Sequence, residues 1–197
     1  MATADVPARR PGKAAILRAA VQVMGEDGYE GASIRDMASR AGVSVAALYY
    51  HFPSKHDLLR EFLDEAYEVI LARIERRMAR VNGPVAQLEE IVGTIIWSNM
   101  HDAFAQSAAY VVASEYTRLN PPDRAAIEVK RKALLDLVEG VVRDGVAAKK
   151  FKTAEPREAA RAIVTLAQST VGVQHEIGRS LDQIIKLYQG FALALAR

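Results

Sequence analysis

SIRDMASRAGVSVAALYYHFPSK, running from Ser33 to Lys55, decides how the rest of this chain is read. Ser33 can accept a hydrogen bond from a first-turn N–H, with Asp36 at the N3 position of a capping box. Ile34, Met37 and Ala38 then recur on one helical face. Gly42 falls where that helix must stop, because a left-handed residue is cheapest as glycine. Ser44 opens a second helix through Val45, Ala46, Ala47, Leu48, Tyr49 and Tyr50, and Pro53 ends it. Helix, short glycine turn, helix is the layout that sets its second helix in a DNA major groove.

Working outward, the N-terminal residues 1–10 lack periodicity and read as a basic arm carrying Arg9 and Arg10. A first helix is expected over 11–26, burying Ile16, Ala20, Val23 and Met24, with Asp27-Gly28 as its stop and Tyr29 filling the gap to the helical pair. Ser54 caps a long helix expected to reach about residue 81, through Leu58, Leu59, Phe62, Ala66, Val69 and Ile70. Its far end carries Arg73, Arg76, Arg77 and Arg80, which interleave with Glu68 and Glu75 and read as a solvated face. Asn82-Gly83-Pro84 is the clearest punctuation and marks the domain boundary.

Beyond it come helices over about 84–100 and 102–119, the latter with a break expected near Gln106-Ser107. Asn120-Pro121-Pro122-Asp123 is a strong helix start, and that helix runs to about 147. A polar link at 149–155 precedes a helix over 156–176, and Ser180 with Gln183 opens the last one. No segment reads as strand. The expectation is an all-α chain of about nine helices, divided as 1–55 (motif about 33–52), a connecting helix 56–82 and a body 83–197.

Composition narrows the function classes. The 197 residues hold no cysteine, which excludes disulfides and thiolate chemistry. No stretch approaches the roughly 20 apolar residues of a membrane span. The start of the chain lacks an apolar signal core, so a cytoplasmic protein without a membrane role is expected. Of 26 Lys and Arg and 24 Asp and Glu, residues 1–60 hold 8 and 6, so the whole net charge of +2 belongs to that segment. Arg9, Arg10, Lys13, Lys55 and Arg60 flank the helical pair, where phosphates would lie on a bound duplex.

These residues together resemble the TetR family of bacterial one-component transcriptional repressors. The resemblance is carried by Gly28-Tyr29, Ser33-Ile34-Arg35-Asp36-Met37-Ala38, Ala41-Gly42-Val43-Ser44, Leu48-Tyr49-Tyr50-His51-Phe52, Ser54-Lys55 and Leu58-Leu59. It implies a homodimer on a double-stranded DNA operator, controlled by a small-molecule effector, with no enzymatic role, metal or cofactor. It implies contacts to the backbone and groove edge from Ser33 and Arg35. Ser44, Val45, Ala46 and Tyr49 would face the bases, and Tyr50, His51 and Lys55 the phosphates. The departure is at Val45-Ala46-Ala47, where many relatives carry Lys, Gly, Thr or Asn; readout there is expected through methyl contacts, close approach and DNA shape.

The resemblance also implies an effector pocket among the middle helices. Polar and aromatic residues on apolar helices are the candidates: Trp97, Met100, His101, Phe104, Tyr110, Glu115, Arg118, Gln168 and His175. The pattern Glu115 to Leu119, then Gly145 and Phe151, is similar to repressors of lipid, fatty-acid and steroid degradation, several of which respond to acyl-CoA thioesters. The last two helices are the expected dimer interface. Leu181, Ile184, Tyr188, Phe191 and Leu195 form a wide stripe on one, opposite small residues Ala159, Ala162, Ala167 and Gly172 on the other.

Two other classes stand beside this reading. His51, His101-Asp102 and Asp144 follow the order of an HD-type metal phosphohydrolase, which requires them to converge on one cation. A ligand-binding scaffold that no longer binds DNA is the other.

Overall fold

Six helices start where a serine, asparagine or aspartate can take the place of a missing backbone acceptor. The computed structural model describes residues 12–170 and 178–197, and among these it forms nine α-helices and no strand. They are α1 Lys13–Gly31, α2 Ile34–Ala41, α3 Val45–His51, α4 Lys55–Met78, α5 Pro84–Met100, α6 Ala103–Ser114, α7 Pro121–Ala147, α8 Pro156–Gln168 and α9 Leu181–Leu195. Ser33, Ser44 and Ser54 accept the N–H groups of Asp36, Ala47 and Asp57 at 3.1, 3.1 and 3.0 Å. Asp102, Asn120 and Ser180 do the same for α6, α7 and α9, the last with a complete capping box.

Gly42 adopts φ 67°, the left-handed conformation the turn requires. The Val43 N–H reaches the Ala38 carbonyl and the Gly42 N–H reaches that of Ser39, closing a Schellman turn between α2 and α3. Gly28 also has positive φ, at 70°, and breaks the helical geometry inside α1. The stop expected at Asp27-Gly28 is therefore a kink, after which Tyr29–Gly31 add one more turn. α4 ends at Met78, three residues earlier than its periodicity suggested.

No break occurs near Gln106-Ser107. α6 runs unbroken to Ser114, and Tyr116–Arg118 tighten into a 3₁₀ turn before α7. Ser107 is small for a packing reason: a Cβ at Gly25 of α1 would stand 2.5 Å from the Ser107 Cβ. The basic arm with Arg9 and Arg10, the expected first residue Pro11, and Gly172, His175 and Glu176 lie outside the described residues.

Apolar burial forms two clusters. The first joins Ile16, Met24, Met37, Leu48 and Leu58 of α1–α4, with Phe52 between α3 and α4, to Val111, Leu119 and Ile127 near α6 and α7. The small N-terminal helices thus share their core with the body. The second gathers around α5, where six consecutive residues, Ile91 through Ile96, are all buried. Such a helix is enclosed on every side, here by α4, α6, α7, α8 and α9. Beside the first cluster, His56 of α4 meets Asp123 of α7 at 2.7 Å and holds the Asp123 carboxyl below the usual aspartate range. Among the described residues no helix is long and apolar enough to cross a membrane.

Candidate nucleic-acid interface

α3 has seven residues and two unlike faces. Leu48 and, just beyond its end, Phe52 are fully buried and seat it on the first cluster. The opposite face is open. Ser44 and Ala46 are exposed, and Val45, Tyr49 and Tyr50 are 37, 46 and 86% exposed. Ser33 and Arg35 are exposed at the start of α2, so the start of α2 and the outer face of α3 both stand free. The outer face pairs short side chains with a ring and hydroxyl from Tyr49, suited to methyl contacts and close approach rather than a dense set of base hydrogen bonds.

The flanking cations divide. Arg35 has no acidic partner among the described residues, whereas Arg40 is held by both oxygens of Glu26 at 2.7 and 2.6 Å. Lys13 pairs with Glu61 at 2.6 Å. His51 is half-buried, with its ring edge-on to Tyr50 at 5.2 Å. Lys55 occupies the first position of α4, where unsatisfied N–H groups favour an anion. Its ammonium lies 4.4 Å above the Tyr29 ring and 3.5 Å from the Glu30 carbonyl, and burial there lowers its pKa below the usual lysine value.

Behind this head lies a cavity of about 510 Å³. Leu17 and Val21 of α1, Phe62 and Ile70 of α4, and Phe104 and Val112 of α6 supply its apolar wall. Of the expected effector residues it brings together His101, Phe104 and Gln168. Trp97 stacks on His101 at 3.8 Å without lining the cavity, and Met100 is buried in the second cluster. Tyr110 is 42% exposed. Glu115 is buried beside Arg118, at 3.7 Å, and Arg118 reaches Glu30 of α1 at 3.4 Å, so this pair joins body to head. Helical spacing shows that these residues share apolar faces; which core each face meets is set by tertiary packing.

Sequence reasoning missed Arg18, Arg73 and Arg131 as cavity residues. Arg73 belonged to a stripe read as solvated, and part of that stripe is indeed external: Arg77 pairs with Glu90 at 2.6 Å. No sequence signal separates Arg73 from that stripe; tertiary packing does, since its guanidinium donates to Ser98 Oγ at 2.8 Å and stacks over Trp97 at 4.8 Å.

The residues expected at a dimer interface separate likewise. Ala159, Ala167 and Ile184 are buried within the single chain, and Leu181 and Tyr188 are half-buried. Ala162 is exposed, and Phe191 and Leu195, one turn apart on α9, are 47 and 43% exposed. The phosphohydrolase pattern is not assembled: among the described residues no three His, Asp or Glu side chains are grouped to hold a metal ion.

Two family models match the chain. That of the bacterial regulatory proteins of the tetR family covers residues 16–62, and that of the tetracyclin repressor-like C-terminal domain covers residues 82–193. The transcriptional regulator UidR of Escherichia coli strain K12 is 28% identical over 135 residues, or 68% of this chain and 66% of that protein. The chain thus spans just under two thirds of the length of this curated relative. A tetR-family regulatory protein from Rhodococcus RHA1 superposes with a TM-score of 0.85 at 23% identity, covering 93% of this chain and 96% of the other. AibR, solved in complex with isovaleryl coenzyme A and operator DNA, superposes with a TM-score of 0.82 at 20% identity over 91% and 96% of the two chains. At these identities the two structures establish the shared fold.

Proposed function

The chain belongs to the tetR family of bacterial regulatory proteins, and from that premise we propose that it is a DNA-binding transcriptional regulator, a repressor released from a palindromic operator by a small, largely apolar effector. The observation that carries this reading is α3, anchored by Leu48 and Phe52 while Ser44, Val45, Ala46 and Tyr49 face outward. It acts by binding and release in the cytoplasm, not by catalysis, and needs no cofactor. The chain divides into a reading head at 1–55, a connecting segment at 56–82 that is mostly α4, and an effector-binding and dimerisation body at 83–197. Phe191 and Leu195, exposed on α9, support a face that a second copy covers.

In this mechanism two recognition helices of a dimer stand about 34–36 Å apart, one DNA turn. Arg35, Tyr50 and Lys55 meet phosphates and fix the register. Leu17 and Val21 of α1 wall the cavity, so an effector there touches the head directly as well as α4. It releases DNA to the extent that it binds a different head spacing more tightly. AibR, solved with isovaleryl coenzyme A, carries a ligand with a small apolar acyl group, and so supports an effector with a hydrocarbon body here.

Tyr49→Ala tests the assignment of the reading face. Titrating DNA from the protein's own upstream region and following anisotropy, the variant loses about ten- to hundredfold in specific affinity, the worth of one good base contact. Its elution as a dimer is unchanged. Loss of the dimer, or an unaltered affinity, would show that Tyr49 is a packing residue.

A further inference from the structure

We infer that the cavity behind the head takes a small monoanionic amphipath, a carboxylic acid with a hydrocarbon body, whose carboxylate pairs with Arg73. This rests on the reading of that cavity as the effector site, and it adds the polar half of the ligand. The apolar wall is interrupted by three guanidinium groups, from Arg18, Arg73 and Arg131, against a single lining carboxylate, Glu65, which is exposed. A cation beside apolar surface is costly unless an anion meets it.

The three arginines differ in what neutralises them. Arg131 lies 3.6 Å from Glu128, reaches the Tyr67 hydroxyl at 3.5 Å and stacks on Tyr116. Arg18 stacks on Phe104 at 4.0 Å and has Asp102 at 4.0 Å. Arg73 is half-buried and, among the described residues, has no carboxylate; Ser98 Oγ and the Trp97 ring are its partners. One hydrogen bond and one stack fix the plane of the guanidinium and leave most of its five N–H donors unused. Ser98, accepting from Arg73, retains its own hydroxyl proton to donate. A planar fork held in place beside a hydroxyl matches a carboxylate in two-point pairing. His101 is already engaged, through Nδ1 with the Trp97 carbonyl and through Nε2 at 3.5 Å from Asp102.

A neighbouring groove decides between a single anionic group and a polyphosphate. It shares Arg131 and Gln168 with the cavity and adds Lys132, Arg157 and Arg161. Lys132 is paired with Asp136, Arg157 with both Asp136 and Glu139, and Arg161 with Glu158. A nucleotide head emerging there finds its cations already neutralised, whereas a monoanion needs only Arg73.

Calorimetric titration of the full chain with decanoate, decanol and decanoyl-CoA tests this without DNA. Wild type binds decanoate about tenfold or more tighter than decanol, the value of a hydrogen-bonded charge. Arg73→Gln abolishes that difference while leaving decanol binding in place, and Arg73→Lys, which keeps the charge without the fork, restores part of it. Equal affinity for acid and alcohol in wild type, an undiminished preference in Arg73→Gln, or binding of decanoyl-CoA alone would each overturn the assignment. Should Arg73→Gln fail to fold, the wild-type comparison and Arg73→Lys decide. Operator titration of the ligand-free protein is read separately, so failure of the regulator reading is distinguishable from failure of the carboxylate.

Discussion

Phe52→Ala lowers folding stability by about 3–5 kcal/mol, the range for emptying an aromatic from a packed core. Phe52 is fully buried directly after α3, in the cluster that also holds Leu48, Met37 and Leu58. Its backbone N–H caps α3 by donating to the Leu48 carbonyl. Removing the ring leaves a cavity under the C-terminal end of a seven-residue helix, too short to persist without tertiary support. Because the same cluster includes Val111, Leu119 and Ile127, the loss appears in global denaturant unfolding and not only in the head. Tyr50→Ala two residues earlier is the matched control: with its side chain 86% exposed, it changes stability by no more than about 0.5 kcal/mol. A Phe52→Ala variant within about 1 kcal/mol of wild type, the size of one hydrogen bond, would mean that α3 is not seated on this core.

Gly25→Ala has the second large effect, and it acts on the junction of head and body. The added Cβ would lie 2.5 Å from the Ser107 Cβ and 2.7 Å from the Ser107 backbone. Carbon atoms pack best at about 3.5–4.0 Å, and a backbone atom cannot rotate aside, so α1 and α6 must separate by about 1 Å. Overpacking of this kind costs about 1–3 kcal/mol. Both helices wall the cavity, so their separation also shifts α1, and with it the head, relative to the body. Melting temperature and operator affinity should therefore fall together. Ser107→Gly in the same chain recovers part of both, since it removes the clash with the Ser107 side chain and leaves the one with its backbone. Unchanged stability in Gly25→Ala would contradict the close approach; reduced stability with unchanged operator affinity would place the α1–α6 seam outside the switch.

The parts of this protein legible from its sequence are those fixed by short-range chemistry. Ser33, Ser44, Ser54, Asn120 and Ser180 announce helix starts because a side-chain oxygen three residues ahead of a free N–H has one good use there. Gly42 announces the turn because few other residues accept its φ. What sequence could not place is decided by which neighbour an apolar face meets. Arg73 and Arg77 lie one turn apart on α4, yet the first lines the cavity and the second pairs with Glu90. Ile184 and Phe191 belong to one stripe on α9, and packing on α5 buries the first while leaving the second outside. Ser107 looked like a break because polarity was its only visible property; its size against Gly25 is what matters.

The proposed regulatory role requires α3 to present Ser44, Val45, Ala46 and Tyr49 to base edges from each half of a dimer. Selection of bound DNA from a randomised duplex pool at low salt tests this presentation without any assumption about the operator. The expected outcome is enrichment of a palindrome whose half-sites are centred about one helical turn apart. A bound pool no different from the starting pool would contradict it.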